Sequence, residues 1–500
     1  MQIEREIVHI VAPTVRKKVR LLWKSSSPTQ AALYSGLKEG RISDDKTAAL
    51  VVFGAPDSSV RFRAFRSRFR ERLLHSLFFL ELTSSRHGAY GVDMYRLRKQ
   101  VFWVHVLAMF GARNTAVLFA KKALKVAHLY HQTAIEVDKM DFLCRHYWLQ
   151  GYPKLHRRLS AQLDTKLATL NAEQKLSRMY QTLSLAYIRS AVPRGGNEQT
   201  KIYNEVAGEL ATQYQTYNTT LDSIRIGILY NQVAGNYHET LELCAKAERY
   251  FREHEHLTPR ARYGEMEMHK LECYLYLRDY ELGSQTAENC AQYIPVGRNN
   301  WFIYMENYFL LAMHTLRFSR AREIFDQVTS HPRFALQRDA VRERWRVFEI
   351  CLRYANRDAG SSNAVIDADR LLNTVPIYTK DKQGYNVPIL VMHILLLLER
   401  GDLDAITQRM EALKSYRSRY LRAKTNRHSA LFFKLLMIME SNSFDYAVIS
   451  KKGAKYYEQL KTLPSAYTEV HGGVQILSYA WLWERVLERL ELMQDKLVST

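Results

Sequence analysis

Punctuation is scarce in this chain. Its 500 residues contain 11 prolines and 21 glycines, too few for the many turns of an all-β protein and well suited to long helices joined by short loops. Cysteine is scarce as well. Cys144, Cys244, Cys273, Cys290 and Cys351 lie far apart and no two show CxxC spacing, so neither a disulfide framework nor a thiolate metal site is expected, and the thiols read as small buried apolar side chains. Long hydrophobic runs are missing too. The longest, Ile389 to Leu398, is interrupted by His393 and is too short to span a bilayer. The amino terminus, MQIEREIVHI, carries acids where a secretory leader needs a basic start. A soluble protein of the reducing cytoplasm, with a cytoplasmic location, is the expectation.

Charge of one sign is scarce in one place. Residues 1–125 hold 23 Lys and Arg against 9 Asp and Glu, although the whole chain carries a net +21. A basic amino-terminal part therefore precedes a nearly balanced body, and its field would attract phosphate, anionic lipid or an acidic protein. Its most unusual segment is VRFRAFRSRFRERLLHSLFFLEL, a helix expected from about Val60 to Leu82 with Asp57-Ser58-Ser59 as N-cap. Phe62, Phe65, Phe69, Leu73 and Leu77 form an apolar stripe on it, and Arg61, Arg63, Arg66, Arg68, Arg70 and Arg72 occupy the other sides. Two readings stand. The arginines are an electrostatic footprint for nucleic acid or an acidic partner, or they are the polar sides of an amphipathic first layer whose stripe packs on the next helices. Ahead of it, a short basic helix broken at Pro13, with Arg16, Lys17, Lys18 and Arg20 clustered, and two short helices over 29–55 separated near Gly40 complete a helical head.

The body repeats itself. In Ile224 to Phe251 one helix ends at Gly235-Asn236-Tyr237 and a second follows with Leu241, Cys244, Ala247 and Tyr250 at buried-stripe spacing. A hairpin of this kind cannot bury both faces alone. Equivalent turns fall near Gly111-Ala112, Gly151-Tyr152, Pro193 to Gly196, Arg278 to Tyr280, Arg317 to Ser319, Asn356 to Asp358, Gly401 to Leu403 and Asn442 to Asp445, a spacing of roughly 40 to 45 residues that marks an α-solenoid. The fold expected is all-α: a right-handed α-solenoid of helix hairpins, with a head over 1–91, repeats over 92–474 and a capping helix over 475–500 containing Trp481, Trp483, Glu484, Arg485, Glu488 and Arg489.

At its turns the chain resembles the tetratricopeptide repeat family: Gly235-Asn236-Tyr237 with Ala247, Gly401-Asp402-Leu403, and Asp279-Tyr280 with Gly283, Ala287, Cys290 and Pro295 match the second half of that repeat. The first half departs from it, with no Trp-x-x-Leu-Gly and a longer period. The resemblance implies partner binding along the surface lined by first helices. Arg225, Met268, Glu272, Glu306 and Met313 fall at positions that in some members clamp a carboxylate, but the mixture of acids and methionines does not make such a clamp. Tyr230, Asn231, Tyr274, Tyr304, Asn307 and Tyr308 form a candidate partner groove, with filling of inter-helix space as the alternative for each tyrosine.

Catalytic and cofactor motifs are missing. His254-Glu255-His256 has no third ligand at helical spacing, Asp402 and Asp404 belong to a helix cap, and there is no GxxxxGK[ST], GxGxxG or GxSxG. Neither cofactor nor metal nor enzyme activity is expected. The expectation is a non-enzymatic scaffold or adaptor that binds another protein along its solenoid surface; the alternative is a nucleic-acid-binding, regulatory protein that uses the arginine helix.

Overall fold

A computed structural model describes residues 1–12, 28–54, 60–188, 198–356, 386–420, 427–463, 468–469 and 473–498. The basic cluster at Arg16 to Arg20, the Asp57-Ser58-Ser59 cap, the Pro193–Gly196 turn and the turn beyond Asn356 lie outside these residues. Within them the chain forms 21 α-helices, with one β pairing of two residues per strand between Thr468–Glu469 and Gly473–Val474. It is an all-α array of helix hairpins. The chain divides into two compact units, Met1–Leu167 and Ala168–Thr500. That division falls among the repeats rather than at 91/92, because the head and the first hairpins share one unit.

The first unit begins with α1 (Gln2–Val11), α2 (Pro28–Lys38), α3 (Asp45–Phe53) and α4 (Val60–Ser76). Asp44 starts α3 through a capping box with Thr47, which satisfies two orphan amides at once. The α4 stripe behaves as its spacing demands: Phe62, Phe65, Phe69 and Leu73 are buried with Ile7, Val8, Leu33, Leu37 and Val52 in one core. The helix stops at Ser76 and a 3-10 turn covers Leu77–Phe79. From there α5 (Ser84–Met109, kinked at Gly88), α6 (Arg113–Leu129), α7 (Thr133–Leu149) and α8 (Pro153–Ile188) follow. Val104, Ala120 and Leu143, with Leu159 against them, join α5 to the start of α8. Tyr95 ties the head to this stack by donating to the Leu77 carbonyl at 2.6 Å.

The second unit contains the end of α8 and α9 (Glu198–Tyr214), α10 (Tyr217–Ala234), α11 (Tyr237–Glu253), α12 (Arg260–Leu277), α13 (Tyr280–Tyr293), α14 (Asn299–His314), α15 (Phe318–Thr329), α16 (Asp339–Ala355), α17 (Asn386–Arg400), α18 (Leu403–Tyr420), α19 (Arg427–Ser441), α20 (Tyr446–Thr462) and α21 (Tyr479–Val498). Consecutive helices pack on one another. The turn at Gly235 has φ 83° and that at Arg278 φ 55°, left-handed positions that end a helix by returning amides to its last carbonyls. Small residues on second helices let neighbours approach. A Cβ on Gly283 would stand 2.3 Å from Leu311 Cδ2 and 3.2 Å from Tyr274 Cβ. Among the described residues one core takes in side chains from Leu271 to Leu490, and Trp483 on the last helix is buried in it.

Candidate functional site

The arginine helix comes first. At 100° per residue, Arg63, Arg66 and Arg70 flank one side of the buried stripe and Arg61, Arg68 and Arg72 the other. Acids from α1 and α3 meet the first row. Arg66 Nε and Nη2 donate to the two carboxylate oxygens of Glu4 at 2.9 and 3.1 Å, its Nη1 donates to Asp45 at 2.7 Å, and Arg70 Nε donates to Glu4 at 2.8 Å. Glu4 is wholly buried. Burial alone would raise its pKa, yet the hydrogen bonds from Arg66 and Arg70 bring it down to about 2. On the other side the Arg61 guanidinium sits 4.8 Å above the Phe53 ring and Arg72 donates to Gln30 at 2.9 Å. Arg63 and Arg68 are exposed. The helix therefore carries fewer outward charges than its composition advertises.

The tyrosine and asparagine set lies in the second unit and is dispersed. Tyr304 and Tyr308 are 3% and 4% exposed and belong to the core, so they present no docking surface; Arg320 donates to the Tyr308 hydroxyl at 3.1 Å. Asn231 donates to the Gly227 carbonyl of its own helix and accepts from Asn236, which fastens the Gly235 turn. Tyr230, Tyr274 and Asn307 are half-buried, and burial raises the Tyr274 pKa.

A ladder of polar side chains runs from repeat to repeat in the same unit. Arg225 donates to Glu265 at 2.7 Å, Gln232 to Glu272 at 3.2 Å and Arg344 to Glu306 at 2.5 Å, at sequence offsets of 40, 40 and 38. Arg225 also donates to Asp222 at 2.9 Å and lies 3.6 Å over the Tyr180 ring, while Arg262 donates to Glu265 at 2.8 Å. Burial pushes Asp222 upward despite Arg225. Burial would also raise Glu265, but Arg225 and Arg262 hold it below its usual range. These charges neutralise one another at the helix interfaces. Of the clamp positions, Arg225, Glu272 and Glu306 are in this ladder and Met313 is fully buried.

A site not anticipated from the sequence lies in the first unit. An open cleft of 580 Å³ between the end of α7 and the start of α8 is lined by Tyr147, Trp148, Tyr152, Pro153, His156, Arg157 and Asp164, among others. Trp148 is 67% exposed and Tyr152 52%. The signal was present: Met109-Phe110 before Gly111 and Trp148-Leu149 before Gly151 put bulky apolar pairs at two equivalent turns, where polar residues are the rule. Phe110 is 78% exposed. Three-residue connections reverse the chain on either side of α6, so α5 and α7 run the same way and these two turns share an edge.

The remaining candidates are structural. All five cysteines are buried and free; burial pushes the Cys244 and Cys290 thiols up to about 12. His254 packs on Tyr250 with ring centroids 4.2 Å apart, and Asp402 accepts from the Ala405 amide at 3.0 Å. Among the described residues no three His, Cys, Asp or Glu gather as a metal-binding set, and no helix is long and apolar enough to cross a membrane. Comparison with family models, with curated proteins and with solved structures finds no match.

Proposed function

We propose that the chain is a non-enzymatic interaction scaffold, cytoplasmic as its five buried thiols suit, that holds a partner protein on the surface of its helix hairpins in the manner of tetratricopeptide repeats. One observation carries this reading: the first unit keeps large apolar side chains such as Phe110 and Trp148 exposed at two hairpin turns and around a cleft, outside its buried clusters. Contiguous exposed apolar surface of this kind marks interaction sites. The polar residues that might have served chemistry are instead engaged with each other in the repeat ladder. The nucleic-acid reading of α4 has weaker support, since Glu4 and Asp45 already neutralise Arg66 and Arg70.

The test is co-purification with the intact protein from its own cells, with and without nuclease. A partner protein retained in constant ratio through moderate salt and nuclease treatment is the expected result. Retention of nucleic acid alone, or of nothing, overturns the scaffold reading.

A further inference from the structure

We propose that the cleft between α7 and α8, with the apolar turn at Met109-Phe110 on the same edge, receives an acidic peptide segment of a partner protein that carries bulky apolar anchor residues. This deepens the scaffold reading and rests on it.

Shape gives the anchors. A space of 580 Å³ walled by Tyr147, Trp148 and Tyr152 admits one or two large side chains rather than a folded domain. Tyr147 and Tyr152 stand edge to face, with centroids 6.5 Å apart, and make a firm wall of the kind that anchors occupy at interface hot spots.

Charge gives the sign. Arg157 and His156 line the cleft and Lys121 lies 5.9 Å from the Tyr147 ring centroid. The neighbouring α6 contains no Asp or Glu along its whole length. Burial, together with the positive field of Lys121 and Arg113, pulls the His146 pKa below its ordinary value. Asp164 is the one acid among the lining residues. A segment rich in Asp and Glu complements this rim, and its contribution is chiefly to encounter rate and partner choice.

Other occupants fit less well. Single-stranded nucleic acid would use the rings but leave Met109, Leu149 and Leu155, all exposed aliphatics, with nothing to stack on them. A second copy of this unit would set like charge against like. A bilayer takes up protruding apolar groups, whereas this site is concave.

The experiment pans the full-length protein against a library of short random peptides. Enriched peptides should carry excess Asp and Glu together with at least one aromatic or large aliphatic residue. A synthetic peptide of that sequence should lose about tenfold or more in affinity to the Trp148→Ala/Tyr152→Ala variant, the scale of removing hot-spot anchors. Arg157→Glu should weaken it further as salt is lowered, the reverse of the wild-type trend. Both wild-type rings are exposed, so the variant should melt like the parent, and this is checked. Absence of enrichment, neutral or basic winners, or binding indifferent to both variants overturns the proposal. So does tighter, Trp148-dependent binding of single-stranded oligothymidylate or of phosphatidylserine vesicles. If the double variant still retains its cellular partner, the scaffold reading survives and this one falls.

Discussion

The two units treat charge in opposite ways. Residues 1–167 hold 29 Lys and Arg against 13 Asp and Glu, whereas residues 168–500 hold 43 against 38. Interior charges are paired in both. Glu4 has Arg66 and Arg70, the buried Lys139 has Asp138 at 2.9 Å, and Arg225 has Glu265 and Asp222. The difference is at the surface. In the second unit each cation of the ladder finds an acid one repeat away, so the repeats neutralise themselves as they stack. In the first unit the surplus is left outside, next to exposed aromatic rings. The same hairpin architecture thus carries a charge-balanced run of repeats in one region and a basic surface in the other.

The largest test of this comparison removes one acid from each unit's interior charge network. Glu4→Gln leaves two guanidinium groups without their shared carboxylate and should destabilise the first unit by about 3–5 kcal/mol, the cost of breaking a buried pair on one side. Glu265→Gln should cost less, about 1–3 kcal/mol, because Glu265 is partly exposed whereas Glu4 is wholly buried. Hydrogen exchange of the full-length protein in urea resolves the two units. Equal losses would show that the shared Glu4 carboxylate is no more critical than one rung of the ladder.

Acid should separate the units next. His314 donates from Nε2 to the Gln475 carbonyl at 2.6 Å, and burial, with Arg278 and His428 adding positive charge, drives its pKa down to about 4. A histidine depressed in the fold favours folding fully above the unfolded value of about 6.5 and loses that contribution as pH falls toward 4. Glu4 is a depressed carboxylate, held at about 2, so its contribution is full above about 4.5 and is lost between there and about pH 2. The second unit should therefore weaken first on mild acidification, by up to about 3 kcal/mol. Exchange profiles at stepped pH check this. His314→Gln should narrow the upper window, to which burial of His269 also contributes, and leave the lower one alone. A lower window that opened first would reverse the assignment.

The helix repeat was legible because its determinants are local. Left-handed residues end the first helices at Gly111, Gly151, Gly235, Arg278 and Gly401, and small residues such as Ala247 and Cys290 mark second ones, so period and turn placement follow from adjacent residues. The ladder was not legible in advance: Arg225 and Glu265 look like any surface pair until stacking brings offsets of about 40 residues together. For the same reason Tyr304 and Tyr308 read as groove candidates. Their helix α14 is buried on most sides, and amphipathic spacing cannot reveal a first helix enclosed by its neighbours. The cleft at Trp148 was written locally, in the bulky pairs before Gly111 and Gly151, but it becomes a site only once α8 folds back beside α7.

The smallest expected effect concerns the arginines that first drew notice. Arg63 and Arg68 lie on opposite flanks of α4 and are exposed, while Arg66 between them reaches Glu4 and Asp45. The Arg63→Gln/Arg68→Gln variant should change stability by less than about 0.5 kcal/mol, as surface substitutions do. Arg66→Gln alone should cost several times more, because one oxygen of Asp45 and one of Glu4 lose the guanidinium donor, while Met1 and Arg70 keep the other two. Urea melts of the three proteins make the comparison. If the double variant proved as damaging as Arg66→Gln, the outward arginines would have a structural duty of their own. If instead it melts like the parent, any loss of binding it shows must come from the charge itself. That makes it the clean probe of whether the basic field of the first unit recruits a partner at a distance or merely keeps the unit in solution.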